Sequence, residues 1–246
     1  YKFVFQNGPD TIWKNDARAR RVVNSVGNSI VYDPNGYTWT PEPYATPAFH
    51  DTVIYELHLG TFNPPGAPAG NFNDAIGRLD YLADLGINMI EIMPVNEFPG
   101  DISWGYNPSH PYTVEEAYGG PDEFKRFIDE AHDRGIGVIV DTVHNHYGPT
   151  DLDLWQYDGW VPGPDLGGIY FYPDARAQTP WGDTRPDFSI GEVRSYIRDN
   201  MLLWLEEFQA DGLRVDGVQY IRTEFPGGPD LDGGWSLLRW INDEID

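Results

Sequence analysis

A cation and a carboxylate stand two residues apart in Asp211–Gly212–Leu213–Arg214–Val215–Asp216–Gly217. On a strand, Leu213 and Val215 would share one face and Arg214 and Asp216 the other, because strand side chains alternate. A neighbouring guanidinium favours the ionised carboxylate, which is the state a carboxylate needs for nucleophilic attack. The same residues also fit a structural ion pair at a strand end, since such networks arise without catalysis. A second cluster, Asp141, His144, Asn145 and His146, follows another apolar run. Two His residues two apart could ligate a metal in a metal-dependent barrel hydrolase. No other strand end supplies the missing ligands, however, and His144 reads better as a satisfied structural side chain. The third stretch, Trp104–Gly105–Tyr106 through Tyr112, puts aromatic rings beside Gly and Pro. It reads either as a stacking platform for a ligand or as a loop packed down by its own rings.

These residues must be positioned by a repeating strand–helix pattern that begins after residue 50. Val53–Leu59, Ile87–Val95, Ile136–Val143 and Asp211–Gly217 read as four strands, and the middle two are apolar enough for burial on both faces. Asn73 is expected to cap the first helix, and Gly86 to stop it. Pro121 opens a second, with Phe124, Phe127, Ile128 and Ala131 at helical spacing. Ser189 and Glu192 suggest a capping box for the third. Trp235, Leu238, Ile241 and Ile245 mark a last one. Strands alternating with helices argue a parallel sheet. No glycine-rich phosphate loop follows the first strand, which disfavours a nucleotide-binding doubly wound sheet. Polar and aromatic residues gather after the strand ends, where a (β/α)8 barrel carries its active site. Residues 147–190 form an insertion rich in Trp, Tyr, Pro and Gly, long enough to be a functional lid or subdomain. The expected class is therefore α/β, residues 51–246 being the first half of a barrel.

Residues 1–50 differ. Tyr1–Phe5, Arg20–Asn24 and Asn28–Tyr32 look like strands separated by turns at Asn7–Asp10 and Asp33–Gly36. Thr40–Pro47 is Pro-rich and expected to be an extended linker. Few strands make a marginal sheet, so this part reads as the last part of a β-domain whose start is absent. Half a barrel would also leave strand edges open. The chain is therefore expected to be a segment that needs the remainder of its own polypeptide.

Composition narrows the partners. The chain has 246 residues, a formal charge of −23 and no Cys. Such acidity repels nucleic acid and anionic membranes, and suits a neutral ligand. The lack of Cys excludes disulfides and thiolate metal sites. No apolar run approaches the ~20 residues of a membrane span. The compartment stays open, with the cytoplasm favoured over secretion.

Taken together, the motifs resemble glycoside hydrolase family 13, the α-amylase superfamily. Asp141–Thr142–Val143–His144–Asn145–His146 is similar to that family's Asp-Val-Val-x-Asn-His signature. Gly212–Leu213–Arg214–Val215–Asp216 is similar to Gly-Phe-Arg-x-Asp, and Gly105–Tyr106 to a Gly-Tyr pair ahead of the family's third barrel strand. The N-terminal part is similar to the sandwich of branching enzymes and trehalohydrolases. The resemblance implies a retaining enzyme acting on α-1,4-glucans or maltooligosaccharides, with Asp216 as nucleophile, Arg214 orienting it and Asp141 bracing Arg214. Tyr106 and His146 would contact the sugar, with Trp104 and Tyr112 as further binding aromatics. No cofactor is required, and the one metal the resemblance admits is calcium at Asn145, where a single ligand is short of the several oxygens calcium needs. Amylases usually carry Lys-His after the nucleophile; Gln219 and Tyr220 stand there, which keeps branching and transglycosylating members open. Retention needs a second carboxyl group ~5–5.5 Å from the nucleophile. The family's general-acid Glu lies on a later strand, so this segment alone is expected to be inactive. A non-catalytic oligosaccharide-binding module is the alternative from another class.

Overall fold

The structure, a computed structural model, describes residues 1–40, 44–64, 66 and 69–245. Residues 41–43 of the expected linker, and Asp246, lie outside them. The chain opens with an antiparallel hairpin, β1 (Phe3–Asn7) and β2 (Asp10–Lys14). The parallel strands are β3 (Ile54–Leu57), β4 (Met89–Ile92), β7 (Gly137–Thr142) and β8 (Gly212–Val215). A short ribbon of β5 (Asn96–Glu97) and β6 (His110–Val114) lies between β4 and β7. The helices are α1 (Phe72–Ile76), α2 (Leu79–Asp84), α3 (Gly120–His132), α4 (Gly191–Glu206), α5 (Val218–Arg222) and α6 (Gly234–Ile245).

The main sheet runs β3-β4-β7-β8. Spatial order equals chain order, and every crossover steps one position in the same direction. A doubly wound sheet reverses direction at a switch point; this sheet does not, which is barrel winding. β4 and β7 are buried almost throughout, as their apolar runs require, while every residue of β8 is half-exposed. Among the described residues β8 pairs only with β7, and Leu213, Val215, Val218, Trp235, Leu238 and Ile241 line an apolar groove of about 400 Å³ beside it.

Several local expectations change. Asn71, not Asn73, caps the first helix, in a reciprocal capping box with Asp74, and that helix breaks at Gly77–Arg78 into α1 and α2. Ser189 is not a cap: its hydroxyl donates to Asp187 Oδ1 at 2.5 Å, and no side chain caps α4. Arg20–Asn24 and Asn28–Tyr32 are not strands; a single bridge, Val22–Ser29, joins them. The reason lies in their side chains, which are used outward. Arg18 pairs with Asp199 at 2.8 Å, Arg20 with Glu207 at 2.9 Å and Arg21 with Glu116, so residues 15–30 form an arm strapped to the parallel unit. β2, the β5–β6 ribbon and α5 were not expected. The insertion at 147–190 holds only turns, one short 3-10 helix and isolated bridges, packed on buried Tyr147, Phe171 and Tyr172.

Candidate active site

The β7–β8 register places Asp141 directly opposite Arg214. Both lie near the C-terminal ends of their strands, and Asp216 follows at once, its amide donating to Thr142 O at 2.9 Å. Gly217 then turns the chain with φ +53°. A Cβ there would lie 2.5 Å from Asn145 Nδ2, so a side chain at 217 would push away the amide that holds Asp216.

One nitrogen organises the centre. Arg214 Nη1 donates to Asp216 Oδ1 at 2.7 Å and to both Asp141 oxygens at 2.8 and 2.9 Å. Asn145 Nδ2 donates to Asp216 Oδ2 at 2.8 Å. Tyr106 OH donates to Asp141 Oδ2 at 2.7 Å. The Asp141 side chain is 1% exposed, Asp216 17% and Arg214 41%. Burial pushes Asp141 up to about 6, against the opposing pull of Arg214 and Tyr106. Burial also works against the Arg214 charge, but Asp141 and Asp216 outweigh it and raise its pKa. Burial and the bond to Asp141 raise the Tyr106 phenol, so it stays protonated as a donor. Glu91 on β4 approaches Arg214 Nε at 4.0 Å, a contribution with no signal in the sequence motifs.

Asn145 and His146 complete the wall. With Asn145 Nδ2 on Asp216, its Oδ1 accepts from His146 Nδ1, which fixes the imidazole tautomer. Burial lowers His146 to about 4, so the ring is neutral at ordinary pH. Trp181 stacks on it with centroids 4.7 Å apart and 19° between planes, and Tyr220 meets Trp181 edge-on at 5.1 Å. Neither ring was singled out as a site residue. The Trp content of the insertion was the available signal, but nothing in spacing links residue 181 to 146. Tyr106 is carried by Gly105 (φ +87°), where a Cβ would come 2.3 Å from Pro94 O.

The remaining candidates fare differently. Tyr112 is 1% exposed; its hydroxyl donates to Tyr196 O at 2.6 Å and accepts from Arg18, so it is a core residue without access to a ligand. Trp104 is 70% exposed and makes no hydrogen bond or ring contact among the described residues, so the structure does not bring it to the Asp216 cluster. His144 is fully buried, with Nδ1 on Tyr147 OH and Nε2 on Asn200 Oδ1. It therefore does not converge with His146 on a metal. Both polar atoms of the Asn145 amide are engaged by Asp216 and His146. Among the described residues no three His, Asp or Glu side chains form a metal-holding group. These residues do not fit calcium at Asn145.

The arrangement presents a carboxylate with one guanidinium and one amide donor on it, beside a neutral imidazole and aromatic faces. Comparison with known proteins gives the family. The alpha amylase catalytic domain model matches residues 18–156, more than half of the chain. A malto-oligosyltrehalose trehalohydrolase of Mycobacterium tuberculosis is 47% identical over 78% of this chain and 30% of its own length. The corresponding protein of Rhizobium sp. is 40% identical over 85% of this chain and 33% of its own. A 1,4-alpha-glucan branching enzyme of Pseudoalteromonas atlantica is 34% identical over 88% and 32%. A crystal structure described as an alpha amylase from Salmonella typhimurium superposes with a TM-score of 0.80 at 34% identity, covering 97% of this chain and 38% of that one. The chain thus spans about a third of the length of the relatives it matches. The chain belongs to the α-amylase family and carries part of the (β/α)8 catalytic domain.

Proposed function

We propose that the protein carrying this chain is a retaining enzyme acting on α-1,4-glucans or maltooligosaccharides, with Asp216 as the nucleophile. One observation carries the reading: the Asp216 carboxylate is held at both oxygens, by Arg214 Nη1 at 2.7 Å and Asn145 Nδ2 at 2.8 Å, where the parallel strand β8 ends. Two charge-assisted donors keep a carboxylate ionised and fix its direction of approach. Asp141 anchors Arg214 and is too buried to reach a sugar. Tyr106 and His146 border the sugar that reacts. The displacement forms a bond from an Asp216 oxygen to the anomeric carbon and breaks the bond to the leaving oxygen. That oxygen takes its proton from a general-acid Glu supplied by the remainder of the polypeptide. Water or a sugar hydroxyl then attacks the glycosyl-enzyme, so hydrolysis and branching share this half of the chemistry. Relatives of both descriptions support that breadth. No step needs a metal or cofactor.

The test is turnover of maltooligosaccharides by the complete protein with and without Asp216→Asn. Loss of turnover with retained sugar binding is expected. Undiminished turnover would overturn the reading, and absence of turnover in the unsubstituted protein would favour an oligosaccharide-binding module.

A further inference from the structure

The chain lines a second concavity three residues past His146 and one past Trp181. This open cleft, about 680 Å³, lies between the N-terminal arm and the insertion. Asp216 and Arg214 are not in its wall. A concavity of this size is in the range that binds small molecules. Two carboxylates tie the arm to the insertion and so set the cleft's width. Asp151 Oδ2 accepts from Ser25 Oγ at 3.1 Å, and Asp153 Oδ2 accepts from the Asn15 amide at 2.8 Å. The remaining acidic groups of the wall, Asp165 and Asp183, are exposed and make no ion pair among the described residues, so their oxygens are available as acceptors. Trp155 supplies a half-buried apolar face, held by Phe171 at 5.7 Å between centroids.

The lining selects by chemistry. Acidic walls on a chain of charge −23 repel phosphorylated or other anionic ligands. The carboxylates are spread along the rim, and among the described residues none forms a group of three that could hold a metal ion. Hydroxyl donors for the carboxylates and a C–H face for the Trp ring are what a neutral sugar presents. Gly182 and Asp183 in the cleft wall directly follow Trp181, which stacks on His146 in the Asp216 cluster. We infer that this cleft binds the distal sugars of an α-glucan whose reacting bond lies at Asp216. The inference rests on the function proposed above. It makes the N-terminal arm part of the substrate site, and it predicts a preference for longer glucans over short ones.

Titration of maltotriose and maltoheptaose into the complete Asp216→Asn protein, with and without Asp165→Asn plus Asp183→Asn, tests it. Both substituted side chains are exposed, so folding is not at stake. Asn keeps a neutral acceptor, and trading charge-assisted for neutral hydrogen bonds at the two positions costs about tenfold in affinity. Maltoheptaose binding should weaken by about that factor or more, with maltotriose binding within twofold of the starting value. An unchanged ratio of the two affinities would overturn the inference, as would tight binding of a lysine-rich peptide that displaces no sugar. Turnover of either sugar by the Asp216→Asn protein would contradict the role of Asp216 without altering that ratio.

Discussion

Two pairs of carboxylates lie in this molecule under opposite electrostatic regimes. Asp141 and Asp216 share one guanidinium nitrogen at 2.7–2.9 Å. Glu97 and Glu115, beside the β5–β6 ribbon, are each 1% exposed and have no cation partner among the described residues. They accept only backbone amides: Glu115 from Ala117 and Phe98, Glu97 from Glu116. Burial, reinforced by Glu115, pushes Glu97 up to about 9; burial pushes Glu115 up to about 7. The first pair shares a cation, and its Asp216 side chain stays partly exposed. The second holds protons inside the fold. A buried carboxylate thus becomes a reactive anion only where a donor set and an opening are supplied with it.

The sharpest way to break this contrast is Arg214→Lys. Lysine is one atom shorter and ends in a flexible ammonium, which cannot hold a nitrogen where Nη1 meets both carboxylates. Turnover by the complete protein should fall by about 10²–10³-fold, the cost of losing an aligned electrostatic donor. Arg214→Leu removes the charge altogether and leaves Asp141 buried and unpaired. A loss of about 2–3 kcal/mol in denaturant unfolding is expected, the low end for a broken buried pair because Arg214 is itself 41% exposed. Unchanged stability would mean that Asp141 is solvated or neutral in the fold.

The next test is the pH profile. Asp141 sits near 6, so protonation below that value should release Arg214 and produce an acidic limb in kcat/KM at about pH 6. Tyr106→Phe removes a donor to the anion, raises the Asp141 pKa and should move the limb to higher pH. His146, near 4, should not contribute above pH 5.

For the contrasting pair, the folded pKa values lie above the unfolded ones, so the fold favours the protonated forms. Their stabilisation is fully present below the ordinary value of 4.5 and is lost progressively from there upward, as pH rises to about 7 for Glu115 and about 9 for Glu97. The melting temperature should fall over that interval, and Glu115→Gln should flatten the fall. An identical slope in the variant would show that the pair does not hold a proton. The smallest effect is expected of Trp104→Ala, which should leave turnover within about twofold, as for an exposed side chain with no hydrogen bond or ring contact among the described residues.

The legibility of these features in the sequence follows their range. The parallel strands were readable because burial on both faces leaves unbroken apolar runs such as Val138–Val140, and the Arg214–Asp216 spacing because strand alternation is rigid. Asp141 came through its place in a motif. Tyr112 misled, because an aromatic residue beside Pro looks alike whether it stacks on a ligand or closes a core around Tyr196. The sandwich strands at 20–32 misled because alternation cannot show that Arg18, Arg20 and Arg21 spend their side chains on acidic partners far along the chain. Trp181 and the Glu97–Glu115 pair depend wholly on tertiary contact, for which local spacing carries no trace.

The most direct measurement is covalent trapping. The complete protein, incubated with a fluorinated glucosyl donor that forms the glycosyl-enzyme but breaks it down slowly, would be digested and mapped by mass spectrometry. A glycosyl adduct on the peptide containing Asp216, absent from Asp216→Asn, is the predicted result. An adduct on a different carboxylate, or inversion of the anomeric centre in the product, would contradict the account.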